Sequence, residues 1–94
     1  CKTIQFKPGT SSTEISGSIA PDATECFRFA TGQGQTVRMS IKSANNNTIF
    51  SILDLVDARD NYTFKSQKKT YEFIVAQLMK AAGPDTYKLT LSIK

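Results

Sequence analysis

Two cysteines are the residues of this chain that are best suited to covalent chemistry. Cys1 and Cys26 occur among 94 residues without histidine. Two thiols without an imidazole cannot complete a tetrahedral zinc site, so zinc is excluded. Three states of the thiols remain open: a disulfide that closes a loop of roughly 25 residues, a lipid on Cys1 as in processed bacterial lipoproteins, or two free thiols. The first two imply an exported protein in an oxidising compartment.

Residue types that serve in catalysis are scarce. The absence of histidine removes the usual general base and activator of a nucleophile, and no serine lies in a nucleophile-elbow sequence. Asp54, Asp57 and Asp60 lack the spacing and the final glutamate of a calcium loop, which favours a solvated acidic loop. We therefore predict no catalytic residue, no metal, no cofactor and no enzymatic activity.

The chain carries a net charge of +4, and its isoelectric point is about 9.2. Its densest basic cluster is "KSQKK", with Lys65, Lys68 and Lys69. Nucleic-acid binding would require a longer basic stripe interleaved with aromatic residues, so no nucleic acid is predicted. An acidic protein partner or cleft suits the charge better, and a solvated hairpin turn is the simpler alternative for this cluster. The longest apolar run, "FIVA", is too short to cross a membrane.

The elements that must position these residues are β-strands. In "GQGQTVRMSIKS" Val37, Met39 and Ile41 alternate with polar residues, the pattern of a half-buried strand. Turn signals recur about every 8–12 residues, which is typical of an all-β sandwich. We predict one domain over residues 1–94, an antiparallel β-sandwich of about eight short strands. Phe27 and Phe29 share its inner face, so a Cys1–Cys26 bond would hold the first and third strands within about 7 Å, Cα to Cα.

Strict alternation of strand direction would divide the turns between the two ends of such a sandwich. Turns 8–11, 31–34, 54–61 and 78–86 would lie at one end, and turns 20–24, 43–47 and 66–69 at the other. The first end would then carry the two longest connections, 54–61 and 78–86. Long loops on a rigid scaffold commonly carry binding functions.

Two stretches carry a resemblance to known families. "EISGSIAPDATECFRFATGQGQTVRMSIKS" resembles the bacterial pre-peptidase C-terminal type of β-sandwich, and "YEFIVAQLMKAAGPDTYKLTLSIK" looks like its closing hairpin. A small chain with this start and ending is most similar to the periplasmic inhibitors of g-type lysozyme. The resemblance implies a periplasmic or secreted protein, its signal peptide removed, that inserts a loop into the cleft of a lysozyme or other muramidase.

The same resemblance places the inhibitory loop at residues 77–86. Gln77 matches the glutamine of the family, and Met79 and Lys80 occupy the stretch where the family carries arginines. With Arg59 from the other long connection, these are the predicted contact residues; Lys68 and Lys69 form the rival surface. Two other functions remain open: a non-catalytic module that binds polysaccharide or matrix protein, and an immunity protein against a toxin that degrades cell walls.

Overall fold

The computed structural model describes residues 1–5, 11–79 and 82–94. Its described part contains nine strands and no helix, and therefore no helix that could span a membrane. The strands are β1 Lys2–Thr3, β2 Ser12–Ile19, β3 Thr24–Thr31, β4 Thr36–Ser43, β5 Thr48–Ile52, β6 Val56–Arg59, β7 Asn61–Lys65, β8 Lys69–Gln77 and β9 Asp85–Ile93.

These strands form two sheets packed as a sandwich. One sheet has the order β1-β3-β8-β5-β6, and the other has the order β2-β9-β4-β7. Neighbouring strands are antiparallel except β1, which runs parallel to β3. The predicted all-β sandwich is confirmed, with one strand more than expected.

Apolar residues at every second position form the core between the sheets. Phe27 and Phe29 of β3 lie directly opposite Phe73 and Tyr71 of β8, and each pair of rings stacks, with centroids 5.4 and 5.6 Å apart. Because residues on a strand alternate between faces, one phase of each strand is buried. The buried apolar residues are Ile19, Phe27, Phe29, Val37, Met39, Ile41, Phe50, Ile52, Tyr71, Phe73, Val75, Tyr87, Leu89 and Leu91.

Strand β6 corrects the predicted distribution of turns. It lies inside the segment 54–61, which the sequence analysis treated as one loop, and it pairs with β5. One extra strand reverses the direction of every strand after it, so the predicted ends are wrong from there onward. Two backbone hydrogen bonds show which turns lie together. The Leu78 N–H donates to the Asn47 carbonyl (2.7 Å), which joins the 78–84 connection to the 44–47 turn. The Ser66 N–H donates to the Gln35 carbonyl (2.8 Å), which joins the turn at 66–68 to the turn at 32–35.

The two ends of the sandwich therefore carry different turns from those expected. The loop end consists of residues 20–23, 44–47 and 60 and the described part of the 78–84 connection. The opposite end consists of residues 32–35, 53–55 and 66–68. The segment 54–61 is thus divided, with only its last residues near the 78–84 connection.

A disulfide joins Cys1 to Cys26, with the two Cα atoms 4.6 Å apart. It ties the start of β1 to β3, as the predicted pairing requires. A thioether lipid on Cys1 would need the same sulfur, so that alternative is incompatible with this bond. Ile4 packs against the core.

Candidate binding surface at the loop end

Three of the four predicted contact residues are described, and all three lie at the loop end. Gln77 is the last residue of β8, Met79 follows in the connection to β9, and Arg59 is the last residue of β6. Lys80 lies outside the described residues. Arg59 lies at this end because β6 runs towards it. The sequence analysis placed Arg59 beside the 78–86 turn but did not foresee the strand that puts it there.

The Gln77 side chain ties the connection to the rest of the fold. Its amide nitrogen donates to the carbonyl of Ile19 at 2.9 Å and to the carbonyl of Gly83 at 3.0 Å. These bonds link the ends of β2 and β8 to the returning part of the connection. Gln77 is half-buried, and its side-chain bonds hold the connection between β8 and β9 in position.

Asn47 holds the outgoing part of the connection. Its side-chain oxygen accepts from the Met79 N–H (3.0 Å), and its amide nitrogen donates to the Met79 carbonyl (2.7 Å). The same nitrogen lies 3.2 Å from the Gln77 side-chain oxygen. The Asn47 side-chain amide thus accepts one hydrogen bond from the Met79 backbone and donates one to it, as the backbone of a neighbouring strand would. Sequence reasoning missed Asn47, because a run of asparagines signals a turn and does not show what that turn contacts.

A buried carboxylate supports the turn that contains Asn47. Asp85 is 1% exposed and accepts from the backbone of Asn45 (2.9 Å) and the hydroxyl of Thr48 (2.8 Å). Burial by itself raises the pKa of Asp85. Hydrogen bonds from Thr48, Ser43 and the backbone of Asn45 and Asn47 outweigh that effect, and the net pKa lies below its usual value. The charged form of Asp85 therefore holds the 44–47 turn in place.

The clamp formed by Asn47 and Gln77 presents two apolar side chains to solvent. Leu78 is 57% exposed and Met79 is 71% exposed. Exposed apolar side chains on a backbone that is held in place are a common feature of protein-binding surfaces.

A polar cleft of about 470 Å³ adjoins Leu78. Leu78 and Arg59 both line it, together with Asn46 and Asp60. The Arg59 guanidinium lies 5.9 Å from the centroid of the Tyr62 ring, a distance at which the ring face attracts a cation. The loop end therefore presents the exposed apolar side chains of Leu78 and Met79, with the positively charged Arg59 at its border.

The rival basic surface lies at the opposite end. The backbone N–H of Lys68 donates to the Gln33 side chain at 3.4 Å, and the Lys69 ammonium lies 4.8 Å from the centroid of the Tyr71 ring. These lysines and Met79 therefore lie at opposite ends of the sandwich.

Residues 1–5, 11–79 and 82–94 bring together one group of potential metal ligands. The single cluster of three potential metal ligands there is Cys1, Cys26 and Glu72. Both sulfurs belong to the disulfide and carry no proton or free thiolate, so the Glu72 carboxylate, 3.2 and 3.8 Å from them, makes contact only.

Comparison with solved structures places this fold among two groups of bacterial proteins. The periplasmic g-type lysozyme inhibitor PliG of Aeromonas hydrophila has a TM-score of 0.84 and 21% identity, covering 99% of this chain and 95% of that one. PliG of Salmonella Typhimurium has a TM-score of 0.78 and 23% identity, covering 98% and 96%. The pre-peptidase C-terminal domain of a Bacillus anthracis collagenase has a TM-score of 0.70 and 19% identity, covering 99% and 93%.

These likenesses establish the fold. Both groups named in the sequence analysis are represented among the structural neighbours. No family model and no curated protein sequence matches the chain.

Proposed function

We propose that this protein is a periplasmic or secreted inhibitor of a lysozyme, with g-type lysozyme as the first target to test. The observation that carries the proposal is the clamp formed by Asn47 and Gln77, which holds Leu78 and Met79 outward. Inhibitors of g-type lysozyme that share this fold support it. A loop held in this way loses little conformational freedom on entering a cleft, which favours tight binding.

Charge supports the same kind of partner. Glycoside hydrolases such as lysozyme place carboxylates around the scissile bond, and this chain carries a net charge of +4. Arg59, at the border of the loop end, adds positive charge at the cleft that the exposed Leu78 also lines. Attraction between charges mainly speeds association, whereas an apolar anchor that becomes buried slows dissociation.

The direct test is a muramidase assay on bacterial cell walls with goose-type, chicken-type and invertebrate-type lysozymes. We expect micromolar protein to inhibit the goose-type enzyme, with weaker effects on the other two. The disulfide-reduced protein serves as a control for fold dependence. Lack of inhibition of all three enzymes at micromolar concentration would overturn the proposal.

A second candidate is a non-catalytic module that binds a matrix protein, supported by the likeness to the collagenase domain. Polysaccharide is a poorer ligand, because the chain has no tryptophan and Tyr71 and Tyr87 are buried. Collagen pull-down and a glycan array separate this candidate from the inhibitor. An immunity protein would act as the inhibitor does, and a toxin gene beside its own gene would identify it.

A further inference from the structure

The sheet edges of this sandwich differ in how well they are protected against further strand pairing. β1 has 2 residues and β7 has 5. β6 has 4 residues, carries Asp57 and Arg59, and shifts register against β5. β2 has 8 residues in unbroken register with β9, and Glu14 is its single charged residue. Short strands, charges and bulges are the usual protections of an edge, and β2 has the fewest of them.

The backbone groups on the free side of β2 belong to its even-numbered residues. Ile93 donates to the carbonyl of Ser11 at 2.8 Å, and the continuous register with β9 carries this phase along the strand. Odd-numbered residues therefore bond β9, and even-numbered residues direct their N–H and carbonyl groups away from it. The residues that do so, all exposed, are Ser12, Glu14, Ser16 and Ser18.

We propose that β2 is a self-association edge, at which a second copy of this chain pairs antiparallel about a two-fold axis at Ile15. In this register Ser12 faces Ser18 of the second copy, and Glu14 faces Ser16. All four outward residues of each strand are then used, which gives about eight backbone hydrogen bonds.

The sequence of β2 favours this register over its neighbours. An axis at Glu14 would place two glutamates opposite each other, which is destabilising. An axis at Ser16 would leave Ser12 without a partner. With the axis at Ile15, the two isoleucines meet at a position without hydrogen bonds between the strands, where side chains approach most closely.

Burial of apolar surface around Ile15 favours the same pairing. Ile15 is half-buried and lines a cleft of about 430 Å³ between β1 and β2, together with Ile4, Thr13 and Phe27. A second Ile15 beside this cleft would remove further apolar surface from water. The occupant we assign is a second copy, because a strand identical to β2 satisfies both the backbone groups and this apolar contact.

The pairing leaves the loop ends free. Because the two β2 strands run antiparallel, the loop ends of the two copies point in opposite directions. The proposal is thus independent of the lysozyme target, and its test uses no lysozyme.

Sedimentation equilibrium of the oxidised, full chain tests the edge. A contact one strand wide is expected to be weak, so the protein is measured from about 10 µM to about 1 mM. We expect a reversible monomer–dimer equilibrium that Ser16→Pro shifts at least about tenfold towards monomer, because proline removes an outward N–H and obstructs the edge.

The matched control is Thr63→Pro on β7. The bond from Ile41 N–H to the Asp60 carbonyl and the β4–β7 register place Thr63 in the phase that points away from β4. This variant alters the other edge of the same sheet and should leave the equilibrium unchanged. A chain that stays monomeric at about 1 mM, or equal shifts in the two variants, would overturn the proposal.

Charge variants test the register even if the proline variant does not fold. Ser16→Lys places a cation opposite Glu14 of the second copy, twice per dimer, whereas Ser16→Glu places like charges there. We expect about 2- to 30-fold tighter and weaker association respectively. Ser18→Lys and Ser18→Glu face the uncharged Ser12 and should differ little from each other. The opposite order for the Ser16 pair would rule out this register.

Discussion

Two polar side chains, Asn47 and Asp85, do most to shape the loop end at the scale of single residues. Asn47 bonds the backbone of Met79 with both ends of its amide. The buried Asp85 carboxylate accepts hydrogen bonds from Asn45, in the 44–47 turn, and from Thr48, directly after it. Neither was a candidate in the sequence analysis, since each acts on a residue about 30 or more positions away and sequence patterns describe local structure only.

Removing the Asn47 amide should weaken both inhibition and the fold. Asn47→Ala frees the Met79 backbone, so the loop must be ordered on binding, and we expect about tenfold weaker inhibition of the target lysozyme. The free energy of unfolding should fall by about 1–3 kcal/mol. Inhibition assays and urea titrations measure the two effects.

The control for this variant is Asn45→Ala, in which the N–H that bonds Asp85 remains. Asn45 is exposed, and its replacement should leave inhibition unchanged. Equal inhibition by the Asn47 and Asn45 variants would contradict a role for the clamp.

Asp85 should make stability depend on pH in the acid range. Because its folded pKa lies below the usual value, its contribution is complete above the unfolded pKa of about 4 and is lost as pH falls through the lower, folded pKa. Asp85→Asn should therefore cost about 1–3 kcal/mol at pH 7. The difference between wild type and variant should shrink below about pH 4.

Urea denaturation at several pH values between about 2 and 7 measures this difference. Asp57→Asn, which changes an exposed aspartate on β6, is the matched control and should alter stability little at neutral pH. A gap between wild type and the Asp85 variant that stays constant down to pH 2 would contradict the charged anchor.

At the scale of elements, regular alternation made most strands predictable. β4 buries one phase and exposes or half-buries the other, so the burial of Val37, Met39 and Ile41 followed from the sequence. β6 did not follow, because "VDAR" alternates over only four residues, three of which stay exposed, and it becomes a strand by pairing with β5. That one strand determines which turns share an end, so the surroundings of the 78–84 connection could not be derived from the sequence.

The two ends should respond differently to substitution. Met79→Ala removes a side chain that is 71% exposed in the free protein, and we expect about tenfold faster release from lysozyme with little change in unfolding. Lys80→Ala, at a position predicted from the sequence alone, should mainly slow association. Surface plasmon resonance measures both rates.

The matched control is Lys68→Ala combined with Lys69→Ala at the opposite end. It should change only the salt dependence of association, because these lysines are remote from the loop end and act through long-range charge. If the lysine pair proves essential and Met79 dispensable, the binding surface lies at the opposite end.

At the scale of the whole molecule, the disulfide adds stability across a thin core. Cys1→Ala with Cys26→Ala opens a loop with a sequence separation of 25 and should lower the free energy of unfolding by about 3 kcal/mol. Urea denaturation with and without reductant measures this. Reductant should destabilise the wild type to a similar extent and leave the double variant unchanged, and insensitivity of the wild type would contradict the bond.

The pairing of β2 with β9 determines when folding can be completed. Ser12–Ile19 and Asp85–Ile93 are neighbours in the four-stranded sheet, so this sheet stays incomplete until β9, which lies between β2 and β4, has been synthesised. Contacts between segments so far apart in sequence form slowly, because a long loop must close first. A nascent chain without β9 therefore cannot complete this sheet, and the sheet closes only after β9 has joined β2 to β4.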